Sequence, residues 1–252
     1  MSTTNGVISS IQIEAEASWS EIPYLTLDID WAHDDILADT IELVEKYRVP
    51  ATWFVTHDTP LLSRLRSNPD FELGIHPNFN WLLSGDDRAG RDADEVVDRL
   101  LAIVPEAKCV RSHSTTQSSG LLDLFARRGL SHECNSFIPV QSGIELKPWR
   151  LWTGLTRVPY FWEDDVACLY SCENALPMSR LVSLAGIKVF DFHPVHIFLN
   201  TENMHRYEQT REWHRFPKKL LAHRYNGEGS RTRFLEILQL SSSARSPQLS
   251  VR

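Results

Sequence analysis

The chain has 252 residues, 42% of them hydrophobic, and a formal net charge of -7. That much apolar material builds a sizeable core and excludes a disordered chain. The acidic balance argues against nucleic acid, whose phosphates need clustered Lys and Arg.

No run of about 18 apolar residues is present to cross a bilayer. The N-terminus also lacks the basic start and continuous apolar stretch of a signal peptide. Cys109, Cys134, Cys168 and Cys172 are too few and too irregular for a disulfide framework. Cys168 and Cys172 have a zinc-like spacing, but no second Cys/His pair completes it, so reduced cysteines in the cytoplasm are the expectation.

Residues 1–20 are polar and small-rich and read as a loose leader; residues 241–252 read as a frayed tail, leaving 21–240 as one domain. Within it, Ile22–Asp30 has the composition of a strand. A helix follows from about Asp35, with Leu37, Ile41 and Val44 on one face and Asp34 as its cap. Strands are expected at Ala51–Val55 and Phe71–His76. The spacing of Val96, Val97, Leu100, Leu101 and Val104 gives a helix over 92–104. A strand at Lys108–Arg111, a helix at Leu121–Arg128 and a short strand near Ser131–Asn135 continue the alternation. After an extended stretch at Leu151–Tyr160 come a buried strand at Ile187–His193 and a closing helix around Phe234–Leu238. Alternation of this kind implies a parallel sheet covered by helices, with its active site at the carboxyl ends of the strands.

The polar residues fall where that rule requires. Asp28 and Asp30 close the first strand, and their i, i+2 spacing puts both on one face of an extended chain. His76 closes another strand, Arg111 the next with His113 two residues on, and Asp191 and His193 the late one, with His196 after Pro194. A lone Asp after a strand is usually a helix cap or turn former, but several strands ending alike point to a site. Carboxylate and imidazole donors make an open metal site that holds a water, a second carboxylate serves as general base, and a His serves as acid. There is no G-x-S-x-G nucleophile motif. With 11 glycines and no glycine-rich loop after the first strand, a dinucleotide fold is a poor fit.

In order, these segments resemble the polysaccharide deacetylases of the NodB homology type, carbohydrate esterase family four. LTLDIDWAHDD (25–35) is similar to the family's aspartate motif, and VPATWFVT (49–56) to the strand after its first helix. ELGIHPNFN (72–80) is similar to its His-x-x-x-His motif, with Asn80 in place of the second His. CVRSHS (109–114) resembles the arginine motif, VPYFWEDD (158–165) the aromatic and acidic groove segment, and FDFHPVH (190–196) the last histidine motif. The resemblance implies an α/β fold, a single-domain distorted (β/α) barrel with fewer than eight strands. It implies removal of an N-acyl group from an amino sugar with a divalent metal, zinc by donor type. Carried over, Asp28 is the general base, Asp30 and His76 are ligands, Arg111 holds Asp28, and His193 is the general acid. Tyr160, Trp162 and Glu163 line the substrate groove. Since Asn80 is a weak ligand, His113 or His33 is left to supply the missing nitrogen. Proteins of the WbmS type in O-antigen assembly look similar, so a nucleotide-linked or lipid-linked glycan is the implied substrate. The alternatives are a catalytically silent glycan-binding barrel, for which Asn80 speaks, and hydrolysis of a non-sugar linear or cyclic amide.

Of eight tryptophans, Trp53 reads as core and Trp162, beside three acids, as the one exposed to a sugar. The basic stretch from Arg211 to Arg224 reads as a solvated face, the alternative being contact with a phosphate-bearing substrate. NGEGSR (226–231) reads as a loop and cap, the alternative being an anion site.

Overall fold

A computed structural model describes residues 6–169 and 176–245; Cys172, and with it the Cys168–Cys172 pair, lies outside them. Nine strands form one curled sheet: β1 (Pro23–Asp28), β2 (Ala51–Val55), β3 (Phe71–Ile75), β4 (Cys109–Val110), β5 (His132–Glu133), β6 (Trp149–Arg150), β7 (Thr156–Arg157), β8 (Trp162–Glu163) and β9 (Lys188–Phe192). Their spatial order is β6-β7-β5-β4-β3-β2-β1-β9-β8, parallel throughout except for the β6–β7 pair. Edge strands β6 and β8 stand at opposite ends, so the sheet is an open half-barrel. The expected count of fewer than eight strands is therefore corrected to nine among the described residues. Strands β4 to β8 have two residues each, too few for an alternating pattern to register in sequence.

The centre of the sheet is the part with real length. β1, β2 and β9 are buried along almost their whole length, as expected when helices cover both faces of a parallel sheet. The helix Asp34–Tyr47 packs Ile36, Leu37, Ile41 and Val44 inward. Its N-cap is His33, whose Nδ1 accepts from the Asp35 backbone at 3.2 Å, while Asp34 accepts from the Thr59 hydroxyl at 2.6 Å. His33 is thus a helix cap rather than a ligand, and Asp34 is not the cap.

The amino-terminal segment is not a loose leader over its described part. Ile8 is fully buried, its N–H donates to Thr52 Oγ1 at 3.0 Å, and Trp19 is buried as well. The few apolar residues of this polar stretch carry no periodic signal, yet Ile8 and Ile11 are buried in the main hydrophobic core. At the other end the closing helix, Ser230–Arg245, runs past Ser241, where fraying was expected. The N–H groups of Arg231 and Thr232 at its start donate to Asn200 Oδ1 at 3.0 and 3.2 Å. The NGEGSR turn is thereby capped from within the chain. Arg215, Lys218 and Lys219 of the basic stretch are solvent-exposed.

Gly74 in β3 lies two residues before His76. A Cβ there would sit 2.7 Å from Cys109 Sγ, 2.8 Å from the Phe54 ring and 2.9 Å from the Cys109 carbonyl. Gly74→Ala is expected to destabilise the fold by about 1–3 kcal/mol through overpacking. Urea denaturation checks it, and an unchanged midpoint would show that β3 and β4 can separate freely.

No described helix is long and apolar enough to cross a membrane.

Candidate active site

The carboxyl ends of the strands bring the residues together. Asp28 ends β1, His76 follows β3, Arg111 follows β4, Glu163 ends β8, and His193 follows β9. They line one small pocket of about 80 Å³ with Asp30, His113, Tyr160 and Asp165. The i, i+2 expectation for the two aspartates holds in effect but not in cause. The chain leaves the strand at Asp28 and turns through the left-handed region at Asp30 (φ 37°) and Trp31 (φ 53°). The Trp31 N–H is held by Thr56 Oγ1 at 3.1 Å. Two adjacent non-glycine residues in that region are strained, a condition typical of functional loops.

Three donor atoms face one another across the pocket. His76 Nε2 lies 3.3 Å from Asp30 Oδ1 and 3.3 Å from His113 Nδ1, and His113 Nδ1 lies 3.4 Å from Asp30 Oδ1. Ligands about 2.1 Å from a tetrahedral ion stand roughly 3.4 Å from one another, so the triangle fits a zinc-like ion. Asp30 Oδ1 is buried and makes no hydrogen bond among the described residues. His113 is placed by a short turn, His113–Thr115, whose first N–H donates to the Pro77 carbonyl at 2.9 Å. Asn80 stands outside this triangle: its amide donates to Ser114 Oγ at 3.1 Å, so it braces the His113 turn instead.

The electrostatics favour a cation there. Burial opposes charge on His76, but Asp28 and Asp30 outweigh it and push the imidazole above its ordinary value. Burial likewise opposes the Asp30 carboxylate, yet His113 and His76 outweigh it and hold its pKa well below the usual range. A field that draws a proton onto His76 draws a divalent ion too.

Behind the triangle lies a buried ion network. Arg111 is 1% exposed, donates from Nη1 to Asp28 Oδ1 at 3.0 Å and to Asp191, and from Nη2 to Thr26 Oγ1 at 3.0 Å. Its guanidinium lies 4.6 Å from the Phe54 ring centroid and 4.4 Å from that of Tyr160. On the opposite side Asp164 receives the His193 N–H at 3.1 Å and Nδ1 at 2.8 Å, leaving Nε2 to face Asp30 Oδ2 at 3.7 Å. Burial works against charge on His193, but Asp164 outweighs it and raises its pKa well above the ordinary value. His196 is not at the pocket. It is buried, edge-on to His193 at 5.8 Å, and stacked on Tyr207 at 4.7 Å.

The groove residues divide. Glu163 lines the pocket and accepts from Tyr160 OH at 3.0 Å. Tyr160 is fully buried and lends its ring face to Arg111. Trp162, expected to be exposed, is 8% exposed and packs on Phe192 at 4.6 Å and Phe190 at 6.1 Å. Strand alternation puts Trp162 and Glu163 on opposite faces of β8, and the acids beside Trp162 belong to the other face or to the next helix. Sequence reasoning assigned no role to Asp164 or Asp191. Each contacts a site residue distant in sequence, and only Asp191, at a strand end, carried a signal.

Comparison with known proteins bears on all of this. The family model described as WbmS-like polysaccharide deacetylase matches residues 25–211. The Bordetella bronchiseptica WbmS protein, described as a polysaccharide deacetylase involved in O-antigen biosynthesis, is 46% identical, with a TM-score of 0.86 over 94% of this chain and 98% of that one. A Mycobacterium smegmatis polysaccharide deacetylase shares 14% identity at a TM-score of 0.52 over 89% of this chain and 85% of its own, a likeness of fold. No curated protein sequence matches. With three-quarters of its length inside the family model, and a relative of this identity aligned almost end to end, the chain belongs to the WbmS-like polysaccharide deacetylase family.

Proposed function

We propose that the protein is a metal-dependent hydrolase that removes an acetyl or formyl group from the amide nitrogen of an amino sugar during O-antigen assembly. The observation that carries this reading is the Asp30–His76–His113 triangle flanked by Asp28 and His193. A zinc ion held by these three side chains would polarise the amide carbonyl and acidify a water. Asp28, oriented by Arg111, takes the proton from the attacking water. His193, whose Nδ1 is committed to Asp164, gives its Nε2 proton to the departing amine. Asp164 holds the ring and balances its charge. The small pocket volume suits a one- or two-carbon acyl group, and Glu163 offers a polar contact on the sugar side. Tyr160 acts through Arg111 and Glu163, and Trp162 packs on Phe190 and Phe192 while walling, with Glu163, a neighbouring cavity. The setting is the cytoplasm, with a nucleotide-linked or lipid-linked glycan intermediate as substrate.

The test is acetate and formate release from N-acylated sugars, with metal content read in parallel by mass spectrometry. Purified protein is expected to carry close to one equivalent of zinc and to lose turnover on chelation. His113→Ala is expected to lower metal affinity at least about tenfold, whereas Asn80→Ala keeps the ion. Metal lost from Asn80→Ala and retained in His113→Ala would return Asn80 to the coordination shell.

A further inference from the structure

Beyond the helix that follows His193, the chain carries charge of the opposite sign to the protein as a whole. Residues 211–224 hold five Lys and Arg against one acid, Glu212, in a protein of net charge -7. Arg211 pairs with Glu208 at 3.3 Å, and Arg224 reaches Asp39 at 4.0 Å. Arg215, Lys218 and Lys219 are exposed, and no carboxylate pairs with them among the described residues. Two exposed apolar side chains stand among them. Phe216 is 55% exposed, with Lys219 Nζ 5.4 Å from its ring centroid, and Leu221 is 47% exposed. The surface is held firmly from beneath. Leu220 of the short helix Pro217–Leu221 is fully buried, Trp213 stacks on His223 at 4.3 Å, and Arg224 Nε donates to the Phe198 carbonyl at 2.5 Å. It also borders the active site. His214, next to Arg215, meets Tyr207, Tyr207 stacks on His196, and His196 meets His193, three successive ring contacts of 4.6, 4.7 and 5.8 Å.

We infer that this face is a peripheral membrane-docking surface, which seats the protein on an anionic lipid bilayer with the active site close to the headgroups. The inference rests on the deacetylase reading above and narrows its substrate to a lipid-linked glycan. Each unpaired cation beside anionic headgroups strengthens binding about fivefold. Phe216 and Leu221 reach toward the acyl boundary, with the lysine stems lying alongside and their ammonium groups in the headgroup layer. Lysines set around a large apolar side chain are the wrong composition for a protein interface, whose core is depleted of Lys. A single phosphate-bearing molecule fits no better. None of the cavities described takes in Arg215, Lys218 or Lys219, so the charges spread over an open surface instead of converging on one anion.

The test is co-sedimentation of the full chain with vesicles of phosphatidylethanolamine containing about one-third phosphatidylglycerol, against vesicles of phosphatidylcholine alone. Partition onto the anionic vesicles is expected to exceed that onto the neutral ones at least about tenfold, and to be lost at about 0.5 M salt. Lys218→Gln combined with Lys219→Gln should weaken it about twenty-five-fold, whereas arginine at both positions keeps it. Phe216→Ala should weaken it about fivefold. All three side chains are exposed, so circular dichroism should report an unchanged fold in every variant. Equal partition onto both vesicles, partition onto neither, or binding indifferent to these substitutions overturns the proposal. Turnover is read separately, on soluble N-acetylglucosamine and on N-acetylglucosamine joined through a diphosphate to a polyprenyl chain in the anionic vesicles. The glutamine pair should slow only the second, and equal slowing of both counts against docking. Absence of turnover on every substrate sinks the deacetylase reading, while vesicle partition still decides the docking surface.

Discussion

Replacing Asp28 by asparagine is expected to lower turnover about a thousandfold while leaving the bound metal unchanged. The substitution keeps shape and volume at a position 2% exposed, and the amide oxygen still accepts from Arg111 Nη1. What it removes is basicity. Asp28 Oδ2 lies 3.5 Å from His76 Nδ1, on the side of that ring away from Asp30 and His113, so the ion does not depend on it directly. Steady-state rates and metal analysis of one preparation separate the two effects. Metal vanishing together with activity would mean that the roles of Asp28 and Asp30 are exchanged.

Replacing Arg111 by methionine should cost far more in stability. Two buried carboxylates, Asp28 and Asp191, share this one guanidinium, and removing it leaves both uncompensated. Loss of one partner from a buried ion network costs about 3–5 kcal/mol, which for a domain of this size lowers the melting temperature by roughly 10 °C. The deficit should depend on pH with a definite sign. Burial pushes the Asp191 carboxyl up to about 7, with Arg111 opposing and Asp28 adding to the rise; removing Arg111 raises it further. A carboxyl with a higher pKa folded than unfolded binds its proton in the folded state, so it loses stability as pH rises. Below about 7 both folded proteins keep Asp191 protonated and lose stability alike, so the gap between variant and wild type widens as pH rises through and above about 7. Thermal melts across that range check it, and a constant gap would show that the two carboxylates do not interact.

The long central strands were legible because their apolar runs end in ionisable residues: Asp28, His76 and His193 each mark a strand's carboxyl end. Arg111 follows a two-residue strand and was still found, because a charged residue closing an apolar run is conspicuous. Of the short strands, β5 was expected near Ser131–Asn135 and β7 fell within the extended stretch Leu151–Tyr160, whereas β6 and β8 were not anticipated, since two residues have no period. Of the long-range pairings only Arg111 with Asp28 was anticipated, and that from the family resemblance. Asp164 begins a helix, which is where an acid is ordinary, and nothing local says that it grips His193 across 29 residues of chain. Trp162 was misread for a related reason: acidic neighbours in sequence suggest solvent, while in a strand the alternate residue faces the other way. His113 was named beside His33 as a source of the missing nitrogen; the coordinates bring it to Asp30 and His76 on a turn held from Pro77 and Asn80, on a different loop.

The left-handed turn at Asp30 and Trp31 is fixed by the Trp31 N–H on Thr56 Oγ1 and the Ala32 N–H on the Ile29 carbonyl, and the His113 turn by Pro77. Coordinating groups posed this way need no ion to assemble them, and little ordering entropy is lost when one arrives. The apoprotein should therefore keep its native shape, and exchange of one divalent cation for another should proceed without unfolding. A metal bound at this site would be a reagent carried by a finished scaffold, unlike the ion of a zinc finger, which builds the fold around itself.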